Sequence, residues 1–310
     1  EVIKTSALRK ANTDLDTMKG TMRKAEVTMR KEKLIAMMAA LAILVLVSLP
    51  AMAREGNEFE GTVPWVSDID GKDDSLLVRQ PDTDWFEATE NTPLGEGDQV
   101  WQDKGGRSEI YLDRTTYVRL DGDSGVQFDK LGQDEVRMIV TKGSAQVSNG
   151  KGRPLYVDLP GQTVTVPPNS KLRVTVNDDG TSEVKVRKGK VMVDGPDGTT
   201  RVNANGRLRA NEDGSVDRLE RDTGKDKFDN WSDKRDRYLG TYRALPTRAV
   251  ADMPEPVAYE MSENGTWIND PEYGYVWSPN VEPDWAPYRA GRWTYRPVYG
   301  WTWVSYEPWG

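Results

Sequence analysis

The sequence predicts a mainly β protein: an antiparallel β-sandwich or rolled sheet, a short connecting helix and a small aromatic-rich β repeat, with an apolar helix near the N-terminus. Three observations carry this. From Ser75 to about Ala210 apolar and polar residues alternate in short runs, the period of strands with one buried face. One stretch alone, Leu34 to Leu49, is long and apolar. Seven of the eleven tryptophans crowd between Trp267 and Trp309.

In chain order, residues 1–28 carry mixed charge with scattered apolar positions, and read as a short cytosolic tail or as sequence ahead of a true start at Met29. Arg30, Lys31 and Lys33 then precede the apolar run, Pro50 breaks it, and Ala51-Met52-Ala53 supplies the small-x-small pattern of a cleavage site before Arg54. Residues 29–53 are therefore expected to be a signal peptide, or a membrane anchor if uncleaved. A helix of the run's length spans roughly 24 Å against a hydrocarbon core of about 30 Å. Either way residues 54–310 leave the cytoplasm, and the membrane is touched only through Leu34 to Leu49 if that segment is kept.

Beyond residue 53 there are 33 basic and 45 acidic residues, a balance that argues against a nucleic-acid partner. The chain has no cysteine and no histidine, which excludes disulfides, Cys/His zinc sites, and Ser-His-Asp or Cys-His catalysis. The sequence implies no cofactor and no metal.

Residues 54–74 are expected to be loose and 75–214 to form the β domain. Its runs include Ile110 and Leu112, Val118 and Leu120, Val136, Met138 and Val140, and Leu172, Val174 and Val176, with Asx-Gly turns such as Asp121-Gly122, Asn149-Gly150 and Asp179-Gly180 between runs. Met138 to Val147 and Val184 to Val193 match around Lys142-Gly143 and Lys188-Gly189, which suggests one hairpin used twice. Residues 215–262 are a charged connector. Within it Phe228, Trp231 and Tyr238 make one stripe on a helix over about 225–239 that docks on the β domain, Gly240 stops the helix, and Pro246, Pro254 and Pro256 keep the next segment extended.

Residues 263–310 are the aromatic repeat domain. Gly265, Trp267, Tyr273, Gly274 and Trp277 recur 26 residues later as Gly291, Trp293, Tyr299, Gly300 and Trp303, two copies of one β unit. Gly310 falls inside the motif, so a further turn of the repeat is expected. Aromatic rings can build a core or stack on a ligand. For a ligand face the candidates are Trp285, Tyr288, Trp301 and Tyr306, with Arg289 and Arg292, and also Arg296, as donors.

The segments Leu94-Gly95-Glu96-Gly97-Asp98-Gln99-Val100, Ser108 to Leu112, Val164 to Pro167 and Val184 to Val191 resemble a FecR-like extracytoplasmic domain, over roughly residues 75–210. Phe228, Trp231, Arg235 and Asp236 resemble the linker that joins such domains to an aromatic tail, and the tail resembles a Trp/Tyr-Gly-rich domain of unknown function found in exported bacterial proteins. FecR is a membrane-spanning regulator with a cytosolic regulatory segment; here only about 33 residues precede the apolar run, which favours an exported relative.

Asp68-x-Asp70-Gly71, Asn177 to Gly180 and Asp194 to Gly198 are carboxylate-rich but lack a full calcium-loop pattern and read as Asx turns. The expected function is a non-catalytic cell-envelope protein whose aromatic tail binds an envelope polysaccharide or an envelope protein. The alternatives are a membrane-anchored FecR-type regulator and a carboxylate-based glycan hydrolase.

Overall fold

The alternating runs become strands of one open sheet, rolled into two layers that share a core. The computed structural model describes residues 63–72, 75–113, 115–132, 134–151, 153–241, 250, 253–296 and 299–309. The expected apolar helix and its cleavage site at Ala51, Ala53 and Arg54 lie outside these. Among the described residues no helix is long and apolar enough to cross a membrane.

One layer runs β1 (Trp65–Asp70), β5 (Arg107–Asp113), β6 (Thr116–Leu120), the second half of β8 (Val136–Asn149), β11 (Ser170–Val176), β12 (Ser182–Lys188), β15 (Gly206–Ala210) and β16 (Val216–Arg221). The other runs β3 (Phe86–Glu87), β2 (Leu76–Arg79), β4 (Gln99–Gln102), β7 (Ser124–Leu131), the first half of β8, β9 (Leu155–Leu159), β10 (Gln162–Val166), β13 (Lys190–Gly195) and β14 (Gly198–Asn203). Val118, Leu120, Val147 and Leu172 from the first layer and Val126, Phe128, Met138 and Val157 from the second belong to one buried cluster. Ile110, Leu112, Val118 and Leu120 lie on one face of their strands, as period two requires.

Four expectations about this body need correction. The segment expected to be loose contains β1, because Val66 is fully buried and its neighbours pair with β5. The connector's first residues form β16, which pairs with β15. The Lys-Gly echo marks no hairpin. At Gly143 strand β8 passes from one layer to the other, and at Gly189 the chain passes likewise from β12 to β13. Both glycines have φ above +70°, and a Cβ at Gly143 would overlap the Asp123 carbonyl, so the crossing needs a residue without one. Finally, the sheet is not wholly antiparallel. Since β8 changes layer, a five-residue loop returns the chain to β8's own first half, and β9 pairs with it in parallel, Val136 opposite Leu155.

Helix α1 (Lys227–Thr241) lies across the outer face of the first layer. Asp226 and Asp229 exchange hydrogen bonds with each other's backbone N–H at its start, the reciprocal arrangement of a capping box. Gly240 does not stop it, since the helix runs one residue further. Phe228 docks as expected, buried and stacked on Trp231 at 6.0 Å, with the Arg107 guanidinium over both rings. Tyr238 does not: it is turned out beside Tyr259, and Leu239 takes the buried place against Tyr111 and Tyr117. Leu239 is eleven residues, three turns, from Phe228, whereas Tyr238 falls off that line.

Between Phe228 and Leu239 the helix buries ions. Arg119, 1% exposed, donates from Nε to Glu109 Oε2 at 2.7 Å and from Nη1 to Asp236 at 2.7 Å and to the Ser232 carbonyl at 2.9 Å. Glu109, 0% exposed, also accepts from Arg235 at 2.9 Å, and Arg235 reaches Asp68 at 2.9 Å. Lys171 bridges Asp233 and Asp236, while Arg187 binds Asp229. These are the polar positions of the alternating pattern, so this face is covered rather than wet.

Of the prolines expected to keep the connector extended, Pro246 lies outside the described residues, and the other two instead begin a second helix, α2 (Glu255–Asn264). Pro254 is its N-cap and Pro256 lies in its first turn, where no backbone N–H is needed. The Tyr117 hydroxyl donates to Glu255 at 2.9 Å and fastens this turn to the body.

Candidate binding surface

The two copies of the aromatic repeat are two hairpins with the same register. In β17 (Gly265–Asp270) and β18 (Gly274–Pro279), Trp267 opposes Trp277; in β19 (Gly291–Arg296) and β20 (Gly300–Ser305), Trp293 opposes Trp303. The repeated glycines have a physical cause. A Cβ at Gly265 would overlap the Trp277 ring, and one at Gly291 the Trp303 ring, so each tryptophan lies across its partner strand only because the glycine leaves room. Gly291→Ala is expected to destabilise the fold by about 1–3 kcal/mol and to shift the tryptophan emission, read by chemical unfolding.

The copies face opposite ways. In the first, α2 packs on both strands, the Trp277 indole N–H donates to the Met261 carbonyl at 2.7 Å, and Trp309 stands edge-on at 5.4 Å. In the second, the face of Arg292, Arg296 and Val304 sits on the body. Arg296 is buried and donates to Asp98 at 2.6 Å and to the Pro93 carbonyl; Val304 is fully buried; Arg292 lies 5.6 Å from the Phe86 ring. Asn91 adds two bonds, to the carbonyls of Ser305 and Glu307, each at 3.2 Å.

Alternation along a strand therefore turns Trp293, Tyr295, Trp301 and Trp303 outward. Trp293 is 59% exposed, Tyr295 55% and Trp301 68%. The rings form two cross-strand ranks, Trp293 with Trp303 at 5.5 Å and Tyr295 with Trp301 at 5.7 Å, each edge to face. Tyr288, 77% exposed, extends the first rank at 5.9 Å from Trp303.

Of the residues singled out from sequence, the structure brings Tyr288 and Trp301 onto this face. Trp285 is elsewhere, its N–H on Glu307 at 2.8 Å and its ring 6.1 Å from Trp309. Arg289 donates to the Asp284 carbonyl, Arg292 and Arg296 occupy the opposite face, and Tyr306 borders a cavity of about 490 Å³ with Ile69, Glu90 and Asn91. Sequence reasoning counted Trp293 and Trp303 only as positions of the repeat and did not single out Tyr295. The available signal was Arg292 and Arg296, which replace Thr266 and Asp270 of the first copy and need partners on the other face.

The carboxylate-rich turns are occupied by their own neighbours. Asp179 accepts from the Thr181 N–H and hydroxyl, Thr199 binds Asp194, and Asp68 lies in a strand. Among the described residues no cluster of acids could hold a metal ion.

Asp68, in β1, meets α1 through Arg235. Its burial, with Glu109, Glu90 and Asp70 nearby, outweighs Arg235 and pushes its carboxyl up to about 7. Burial likewise raises Glu260, with Glu90 adding to it. The folded state thus holds the Asp68 proton more tightly than the unfolded chain, so its contribution is full at low pH and lost as pH rises from about 4 to about 7. Asp68→Asn is expected to reduce the loss of stability between about pH 5.5 and pH 8 by something on the order of 2 kcal/mol, measured as urea midpoints.

Residues 98–192 match the family model described as FecR protein. This stretch is FecR-like. The match begins at Asp98, the acid that holds Arg296 of the tail. Residues 258–310 match a family of unknown function, DUF6600, which spans both hairpins. Two crystal structures of a proposed anti-sigma factor from Parabacteroides distasonis ATCC 8503, at 1.65 Å and 2.50 Å resolution, are each 22% identical with a TM-score of 0.36. Each alignment covers 40% of this chain and 59% of that one, so the chain spans little more than half the length of those structures. No curated protein matches the chain.

Proposed function

We propose that the chain is an exported, non-catalytic protein of the cell envelope, in which a FecR-type body holds an aromatic face that binds an envelope polymer. The observation that carries this reading is the second hairpin, whose polar and small apolar face is tied to the body while its large rings face water. Export rests on the basic flank, apolar run and small-x-small site at residues 30–53. Co-sedimentation of the purified chain with isolated envelope material tests it: the wild type is expected in the pellet, and Trp293→Ala with Trp301→Ala in the supernatant. If folded wild-type protein stays in the supernatant, the reading is wrong.

A second reading, a membrane-anchored regulator of the FecR type, is favoured by the FecR match itself. In it Leu34 to Leu49 is retained. Mass spectrometry of the mature N-terminus separates the two, since export with cleavage starts the protein at Arg54 and the anchored regulator keeps the apolar run.

A further inference from the structure

We infer that the outward face of the second hairpin takes an uncharged, extended glycan chain. This rests on the binding-surface reading and names its ligand. The first support is that the core does not account for these rings. At the positions where the first copy has Asn269 and Tyr275, both exposed, the second has Tyr295 and Trp301, which are more than half exposed and pair with each other at 5.7 Å. The outward face of the second copy thus carries more ring surface than packing of the repeat requires.

The charge pattern comes second. From Gly291 to Ser305 the outward positions of the two strands are Gly291, Trp293, Tyr295, Trp301, Trp303 and Ser305, with no charged side chain among them. The hairpin's two arginines are on the other face, one on the Glu87 carbonyl and one on Asp98. An acidic polymer would find no cation on the two strands, with Arg289 beside Tyr288 donating to the Asp284 carbonyl, and would meet a chain of net charge −8. A cationic one would find rings but no carboxylate on the face, since Glu307 is engaged by Trp285.

Geometry comes third. The paired rings are inclined by 63° and 69°, so each rank sets ring faces at an angle to one another and carries polar ring atoms, indole N–H groups and the Tyr295 hydroxyl, as well as apolar faces. A sugar ring has the matching division, apolar C–H faces and a rim of hydroxyls. The ranks are two residues apart along the strand, about 7 Å, so the surface holds more than one sugar unit of a chain.

The test is titration of the purified full chain in detergent micelles, followed by tryptophan fluorescence, with chitobiose, chitohexaose, cellohexaose and mannan as neutral probes. Alginate and polylysine are the charged ones. The expected result is a saturable shift with a neutral oligosaccharide that persists in high salt and is tighter for a hexasaccharide than for a disaccharide. Trp293→Ala and Trp301→Ala each weaken it about tenfold or more, and Trp85→Ala, an exposed ring on the body, leaves it unchanged. Circular dichroism establishes that the variants fold. Salt-sensitive binding of alginate or polylysine alone would overturn the neutral glycan and leave a polymer-binding surface standing. No shift with any probe, together with no co-sedimentation, removes both.

Discussion

Glu109→Ala is expected to destabilise the fold by about 3–5 kcal/mol, because it strands two buried guanidinium groups beneath α1. Burial works to raise the Glu109 carboxyl, yet Arg119 and Arg235 outweigh it and hold it below the ordinary range, so the group is ionised in the folded protein at neutral pH. Arg119 would keep Asp236 and Ser232, and Arg235 would keep Asp68, which sets the upper limit on the loss. One donor atom of Arg119, Nη2, already lacks a protein partner. Replacing both ends together, Glu109→Leu with Arg119→Met, removes the charges and their desolvation at once and is expected to recover most of the loss. Guanidinium unfolding of the single and double variants beside the wild type measures this. A single variant within about 1 kcal/mol of wild type would mean that water reaches the site and screens it.

Arg296→Ala is expected to release the second hairpin from the body, costing about 3 kcal/mol at neutral pH and shifting the tryptophan emission as ring contacts change. The partner, Asp98, is buried, and burial raises its carboxyl despite Arg296. Without the arginine the charged form is costlier still. A carboxyl raised in the folded state stabilises at low pH and loses that contribution as pH rises, so the penalty of Arg296→Ala should be larger at about pH 8 than at about pH 5.5. Urea midpoints of variant and wild type at the two values check the sign. An equal penalty at both would mean that Asp98 does not change its proton across this range.

The strands were legible because Val118, Leu120, Met138 and their like repeat at period two, and nothing else in the chain competes with that signal. What the other face of each strand meets was not. Glu109, Tyr111, Tyr117 and Arg119 occupy positions that a half-buried strand leaves to water, and only the arrival of a helix more than a hundred residues later buries them. Periodicity along one strand carries no information about a distant covering element. The same limit applies to the candidate site. Two copies of one repeat look interchangeable as sequence, but α2 and Trp309 cover the first and the body takes the opposite face of the second. Trp301 and Tyr288 could be picked as rings outside the repeated set; Trp293 and Trp303 match Trp267 and Trp277 position for position, and Arg292 and Arg296 on the opposite face are the signal that tells the two copies apart in sequence. Pro254 and Pro256 mislead for a local reason, because proline both breaks an ongoing helix and favours the first turn of a new one.

The crossing of β8 at Gly143 bears on how this body comes apart. Because one continuous strand supplies β7 and β9 with a neighbour in one layer and β6 and β11 in the other, neither layer can open along its length without freeing a strand of the second. The two layers should therefore lose their amide protection together, with the protons of Met138, Val140, Ala145 and Val147 exchanging only through global opening. A chain emerging in synthesis cannot complete the second layer until β14 has emerged, or the first until β16 has, so the strands made earlier must wait, unpaired in part.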